Sequence, residues 1–334
     1  MKIRKYMIAV CATAVLGCLS CANSKKTSGA EVEKTEKMVV PVFSGDSAYC
    51  YVKEQVDFGP RTPNSEAHER CGNYLAERLE AFGAKVYNQR VDLTGFDGKT
   101  LKARNIIGAY NPESPRRVML CAHWDSRPWA DNDVNEKNHR KPILGANDGA
   151  SGVGVLLEVA RQLQQQAPSI GIDIIFFDME DYGTPQFAEA VSDDSDTWCL
   201  GSQYWARTPH VSNYNARFGI LLDMVGGKNA TFLKEGFSLQ YASAVVKKVW
   251  KAAGKLGFSN YFVNENGGYV TDDHVPVNEI ARIPCIDVVN CDMRSERSSF
   301  GDFWHTVGDD MSVIDKNTLQ AVGQTVLQVI YNEK

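Results

Sequence analysis

The sequence lacks the features that mark several common classes of protein. Basic residues are not in excess, because 36 Lys and Arg stand against 41 Asp and Glu, which gives a net charge of -5. A nucleic-acid partner is therefore not expected, since such proteins present a basic surface to the phosphate backbone. There is no P-loop, and Gly149–Gly154 (GASGVG) is rich in glycine but does not have the spacing of a dinucleotide-binding fingerprint.

Two common zinc motifs are also missing. No H-E-x-x-H occurs, which excludes the helical arrangement of many metalloproteases. After residue 21 the cysteines are scattered without a C-x-x-C pair, so a zinc site built from thiolates is not expected. A metal site in this chain would have to use histidine and carboxylate ligands.

An apolar run long enough to cross a bilayer is missing too, but the first 21 residues predict export. A basic start (MKIRK) is followed by an apolar segment, Tyr6–Leu19, and small residues precede both Cys18 and Cys21. This layout resembles a bacterial lipoprotein signal, with a simple secretory signal as the alternative, and it does not decide which cysteine carries the lipid. Residues 22–42 are rich in Lys, Glu, Ser and Thr and predict a flexible tether. We therefore expect a signal peptide at 1–21, a tether at 22–42 and a catalytic domain at 43–334, located in the periplasm or cell envelope and touching the membrane only through a lipid anchor.

From residue 43 onward, predicted strands and helices alternate, which is typical of a single α/β domain. Asn64 and Asp315 are expected to cap helices, because each directly precedes a helical pattern. The buried strands are expected at Val118–Ala122, Ile172–Phe177, Gly219–Leu222 and Cys285–Val289, and the helices at 65–82, 151–166, 237–256 and 315–331.

Side chains that can bind a metal follow three of these strands. His123 follows the first, Asp178, Glu180 and Asp181 follow the second, and Asp223 follows the third. Ligands of open α/β sheets bind beyond the carboxyl ends of the strands, so these side chains should meet at one edge. Any one of these carboxylates is as easily explained as a helix cap or turn former, but together they would repel one another unless a divalent cation lies between them.

Two further segments add candidates to this edge. Asp148 directly precedes a helix, whose N-terminus favours a negative charge. His305 lies between Trp304 and Thr306, so it can serve as a ligand while apolar neighbours shape a pocket. Asp, Glu and His ligands of this kind suit zinc.

Six short motifs make the chain resemble a known family. They are HWDSRP at 123–128, NDGASG at 147–152, FFDMED at 176–181, LLDM at 221–224, TDDHVP at 271–276 and FWHT at 303–306. Their order resembles the zinc aminopeptidase-like superfamily. DFGPR at 57–61, the doubled Asp before His274 and the Trp before His305 resemble the animal-type zinc glutaminyl cyclases in their bacterial secreted form. The resemblance covers about residues 44–332.

This resemblance implies a three-layer α/β/α domain with a mixed, mostly parallel twisted sheet. It implies one zinc ion per chain, held by Asp148, Asp181 and His305. Many relatives have Glu at the position of Asp181. The remaining expected roles are Glu180 as general acid/base, Asp223 and Asp272 as carboxylates that share a proton, Trp304, Phe300 and Trp198 as substrate-binding walls, and His123 as a remnant of a second metal site. The expected reaction is the conversion of N-terminal glutamine, in peptides or proteins, to pyroglutamate with release of ammonia, by a monomeric enzyme.

Two other functions stay open at this point. A dizinc aminopeptidase would bind its second metal through His123 and Asp223, with Asp148 as a bridge, and all three residues are present. An inactive surface lipoprotein that only binds peptides is the alternative outside the enzymes. Separately, the acidic run at 192–198 offers a calcium site made of Asp193, Asp194 and Asp196 as the alternative to a solvated loop.

Overall fold

Six strands of the computed structural model form one mixed sheet in the order β1-β2-β4-β3-β5-β8. These strands are β1 (Lys85–Thr94), β2 (Thr100–Tyr110), β3 (Arg117–His123), β4 (Gly171–Phe177), β5 (Gly219–Asp223) and β8 (Cys285–Val289). β3 pairs in parallel with β4 and β5, and β5 with β8, whereas β2 is antiparallel to both of its neighbours. The short strands β6 (Phe232–Lys234) and β7 (Phe262–Asn266) form a second, two-stranded sheet. The expected mixed, mostly parallel sheet is confirmed.

The structure describes residues 39–188, 195–291, 295 and 297–334. The predicted signal peptide, most of the tether, and Asp193 and Asp194 of the calcium hypothesis lie outside these residues. The last four tether residues, 39–42, are held against the domain: the amides of Gln162 and Gln324 donate to the carbonyls of Val42 and Pro41, at 3.1 and 3.0 Å.

Helices cover both faces of the sheet because alternate side chains of each strand point to opposite sides. Leu120 and Ile174 belong to the core beneath one layer of helices, whereas Cys121 and Ile175 belong to a separate core beneath the other. The first layer contains α1 (Gly45–Val56), α2 (Glu66–Ala81), α3 (Ala150–Gln165), α5 (Gly236–Lys255) and α7 (Lys316–Tyr331); the second contains α4 (Leu200–Arg207) and α6 (His274–Glu279). The three-layer α/β/α architecture is therefore confirmed. None of the helices in the described ranges has the length and apolarity required to span a bilayer.

The helix caps follow the sequence prediction at one position and not at the other. Asp315 caps α7 and accepts hydrogen bonds from the Asn317 and Thr318 amides. Asn64 was the wrong choice for α2, because Ser65 is the N-cap and accepts from His68 N. Asn64 instead binds the edge of β2, where its side chain pairs with the backbone of residues 100 and 102.

Candidate active site

The carboxyl ends of the parallel strands bring the predicted side chains to one edge of the sheet. His123 ends β3, Asp223 ends β5, and Asp148 precedes Gly149, the N-cap of α3. The Nε2 atom of His123 is 3.0 Å from Asp148 Oδ1 and 3.2 Å from Asp223 Oδ1. The three residues expected for a second metal site are thus in direct contact with one another.

A second group contains the residues expected to hold zinc: Asp148, Asp181 and His305. The Nε2 atom of His305 is 3.3 Å from Asp181 Oδ1 and 3.5 Å from Asp148 Oδ2, and all three residues are buried. Tetrahedral zinc with ligands at about 2.0–2.2 Å requires donor atoms roughly 3.4 Å apart. Asp181 Oδ2 is also buried, with no hydrogen-bond partner among the described residues. The donor types and the spacing therefore fit a zinc ion.

Asp148 is positioned by a neighbouring loop. The Asp309 carboxylate accepts from the amides of Asn147 and Asp148, at 2.7 and 3.1 Å, which fixes the backbone on the N-terminal side of the ligand. On the other side, a Cβ atom at Gly149 would come within 2.6 Å of the His123 ring. Glycine at this position is what allows the imidazole to approach Asp148.

The turn after β4 sends its three carboxylates in different directions. Met179 has a left-handed backbone (φ 56°), and Asp125 accepts from the amides of Glu180 and Asp181, at 3.2 and 3.1 Å. These contacts place the side chains of Glu180 and Asp181 beside the carboxyl ends of the strands.

Asp178 does not belong to either of the two groups that could bind a metal. This corrects the expectation that all three carboxylates after β4 face a metal ion. Its carboxylate contacts His68 Nε2 at 2.9 Å and accepts from Arg104 N at 2.6 Å. His68 is buried and stacks on Trp124. A buried carboxylate needs charge compensation, and here a histidine and a backbone amide supply it.

Arg127 and Asp131 are site residues that the sequence reasoning missed. The Arg127 guanidinium donates to both oxygens of Asp131, at 2.7 and 2.6 Å, and to Asp181 Oδ1 at 3.2 Å. Asp131 Oδ1 is in turn 3.5 Å from His305 Nδ1. Burial acts to raise the pKa of Asp131, but the hydrogen bonds and positive charge of Arg127, together with His305 and the Gln186 amide, outweigh it and lower that pKa. Arg127 falls in the HWDSRP motif, which was the only signal available for it.

Three further carboxyl groups, on Glu180, Asp223 and Asp272, face the same region. Burial raises the pKa of Glu180 well above its usual range; Asp272 adds to this shift and His123 opposes it. Burial, together with the nearby Asp223, likewise raises the pKa of Asp272 well above its usual range. A cation bound beside Asp181 would act in the opposite direction and favour the ionised forms.

These groups open into a cavity of about 320 Å³ with aromatic walls. The Trp304 ring packs on His305 with centroids 3.8 Å apart, and Phe300 lies 5.1 Å from Trp304. Trp198 is parallel to the His305 ring at 6.2 Å. The full lining is Asp148, Glu180, Trp198, Asp223, Met224, Tyr269, Val270, Thr271, Asp272, Phe300, Trp304 and His305. All three predicted wall residues therefore lie around the predicted acidic and metal-binding groups.

Comparisons with known proteins agree with this geometry. A model described as Peptidase family M28 matches residues 105–330. The chain is similar to the glutaminyl cyclase of Bacteroides thetaiotaomicron bound to N-acetylhistamine, with 64% identity, a TM-score of 0.87, and coverage of 89% of this chain and 100% of that chain. It is also similar to a Zn-dependent exopeptidase from Parabacteroides distasonis, with 58% identity, a TM-score of 0.86, and coverage of 88% and 100%. The glutaminyl-peptide cyclotransferase of Bos taurus is 27% identical over 305 residues, covering 82% of this chain and 77% of that protein. The resemblance found in the sequence motifs is confirmed, and the chain belongs to peptidase family M28.

Proposed function

We propose that this protein is a glutaminyl-peptide cyclotransferase, which converts the N-terminal glutamine of peptides and proteins to pyroglutamate and releases ammonia. The observation that carries the proposal is the small aromatic cavity, in which Glu180, Asp148 and His305 lie beside Trp198 and Trp304. Asp181 forms a buried group with Asp148 and His305. The similarity to a bacterial glutaminyl cyclase at 64% identity supports the same activity.

In this proposal, Asp148, Asp181 and His305 hold one zinc ion. The ion supplies Lewis-acid polarisation of the γ-carbonyl oxygen of the substrate. The α-amine nitrogen of the substrate forms a bond to the γ-carbonyl carbon, and the bond from that carbon to the amide nitrogen breaks.

Glu180 moves the proton that this exchange requires. Its carboxylate takes a proton from the attacking amine and returns it to the leaving nitrogen, which departs as ammonia. Such positioned proton transfer typically contributes about 100- to 10,000-fold in rate. Asp223 and Asp272 share a proton beside Glu180, because adjacent buried carboxylates do not both ionise easily. Trp304, Phe300 and Trp198 exclude water and so suppress hydrolysis of the γ-amide.

A dizinc aminopeptidase is the second candidate, and one observation favours it. His123, Asp148 and Asp223 form another buried group with the donor types and spacing for a metal ion. An exopeptidase with 58% identity is described as Zn-dependent. Two adjacent metals would activate a water molecule for peptide hydrolysis.

One experiment separates these functions. Purified protein is analysed for zinc per chain and is given a peptide with N-terminal glutamine, to follow ammonia release, and leucine amide, to follow hydrolysis. One zinc and turnover of the glutamine peptide alone support the cyclase. Two zinc ions and turnover of leucine amide overturn it in favour of the aminopeptidase. Peptide binding without turnover of either substrate indicates an inactive binding protein.

The location and assembly expected from the sequence are also part of this proposal. We propose that the enzyme is an exported monomer, tethered by a lipid on Cys18 or Cys21. Separate Cys18→Ser and Cys21→Ser variants of the full chain serve as each other's control. Replacing the lipidated cysteine should release the protein from the membrane fraction, whereas replacing the other cysteine should not. Membrane association that survives in both variants would reject a single lipidated cysteine.

A further inference from the structure

A second cavity adjoins the one with the proposed catalytic groups. Its volume is about 290 Å³, and it shares Tyr269, Val270 and Phe300 with the catalytic cavity. The two cavities therefore adjoin at these three shared residues. Consecutive residues of a peptide have Cα atoms about 3.8 Å apart, so the side chain after a bound N-terminal residue can reach an adjoining cavity.

Two polar side chains that line the second cavity, Glu235 and Asn290, already have hydrogen-bond partners. Glu235 accepts from the amides of Phe237 and Val270 at 2.8 and 3.0 Å, and its other oxygen lies 3.0 Å from His274 Nε2. The Asn290 side chain donates to the Phe300 carbonyl and accepts from the Thr231 amide. A polar ligand would have to compete with these bonds, whereas an apolar ligand would leave them intact.

The remaining surface of the cavity is largely apolar. Leu233, Val289 and Phe300 contribute to it, and Tyr269 stands beside them with 67% of its surface exposed. A large aromatic side chain so exposed at the border between two cavities can bury much of its surface only when a ligand covers it.

We propose that this second cavity binds the side chain of the residue that follows the N-terminal glutamine, and that it selects large apolar residues such as leucine and phenylalanine. The inference rests on the proposed cyclase function, which places the glutamine side chain in the first cavity. An acidic residue at the second position is disfavoured, because the Glu235 carboxylate lies in the wall and the catalytic carboxylates lie next to it.

The test compares kcat/KM for three peptides of equal length that begin Gln-Leu, Gln-Gly and Gln-Glu. The wild-type enzyme should use Gln-Leu about tenfold better than Gln-Gly, and Gln-Glu less well than Gln-Gly. If Gln-Leu and Gln-Gly differ by less than twofold, the cavity does not select the second residue. Ammonia release from Gln-Gly reports the proposed cyclase function independently, so its absence with all three peptides overturns that function and this inference with it.

Gly268 allows the cavity to be filled with a matched control. It lines the cavity, and a Cβ atom built there meets no described atom within 4 Å. Gly268→Trp should bring the Gln-Leu to Gln-Gly ratio close to one, while Gly268→Ala, which changes the backbone in the same way but adds little volume, should keep the wild-type ratio. Ser299→Trp, at an exposed residue that also lines the cavity, should act like Gly268→Trp. A full wild-type ratio in both tryptophan variants would overturn the proposal.

Discussion

Replacing Arg127 tests whether the residues around the proposed zinc site determine how well it binds metal. Arg127 is 1% exposed and contacts Asp131 and Asp181 directly, while Asp131 reaches the second nitrogen of His305. Its guanidinium also lies 4.6 Å from the centre of the Trp198 ring. One side chain therefore contacts a proposed ligand, the partner of another ligand and a wall of the cavity.

These contacts set the expected losses of stability and of zinc affinity when Arg127 is replaced. Removing one member of a buried ion pair leaves the other charge uncompensated and typically costs about 3–5 kcal/mol of stability. Loss of a group that orients metal ligands typically lowers metal affinity by about 10- to 100-fold. For Arg127→Met, which keeps the length of the side chain but no donor, we expect both effects.

Chelator competition measures the zinc affinity, and denaturant unfolding of the metal-free protein measures the stability. Arg127→Lys should give intermediate values, because an ammonium group keeps the charge but cannot form the parallel pair of bonds to Asp131 while also reaching Asp181. Arg127→Met combined with Asp131→Asn should recover part of the stability, since the uncompensated charge is gone, but not the zinc affinity. Zinc affinity within twofold of wild type in Arg127→Met would refute the positioning role.

Four further predictions concern the site and its surroundings. His305→Ala should lose both zinc and turnover in a metal analysis paired with an ammonia-release assay, and full occupancy would reject His305 as a ligand. Trp304→Ala should keep zinc but lower kcat/KM for glutamine peptides, because a cavity wall is lost; unchanged kinetics would remove Trp304 from the site. Glu180→Gln should bind zinc and glutamine peptides nearly as the wild type does yet lose about 100-fold or more in kcat, and wild-type ammonia release would assign the proton transfer to another group. Burial acts to raise the pKa of Glu235, but the hydrogen bond and charge interaction with His274 and the two hydrogen bonds from Ser238 together outweigh it and lower that pKa from 4.5 to about 2. This contributes about 3 kcal/mol of stability that is present above pH 4.5 and lost as the pH falls toward 2, so acid unfolding of Glu235→Gln should lack this loss.

The strands could be predicted from the sequence because their signal is local. The apolar run Cys285–Val289 coincides with β8, and the run Ile172–Phe177 differs from β4 by one residue. The helices α1, α4 and α6 were not foreseen. α6 is only six residues long and contains Pro276, and such a short segment shows too little periodicity to be recognised.

Contacts between distant segments account for the site residues that the sequence did not reveal. Arg127 and Asp131 are four positions apart and look like any surface ion pair, which contributes little to stability. Their importance comes from Asp181 and His305, which are 54 and 174 residues further along the chain than Arg127 and Asp131. The same reason explains why the sequence does not reveal the role of His68, because only the fold brings Asp178 to its ring.

The sequence alone does not predict the separate directions of the three carboxylates after β4. Asp178, Glu180 and Asp181 are alike in charge and adjacent in the chain, so the sequence predicts one destination for all three. The structure gives Asp178 a different one, because Met179 turns the backbone and Asp125 accepts from the next two amides. Exchanging these roles would require the backbone to rotate against both hydrogen bonds, so Asp125→Ala should weaken zinc binding although Asp125 is not a proposed ligand. Asp125→Asn keeps one acceptor oxygen and should retain part of the affinity, and wild-type zinc affinity in Asp125→Ala would show that the turn holds its shape without this residue.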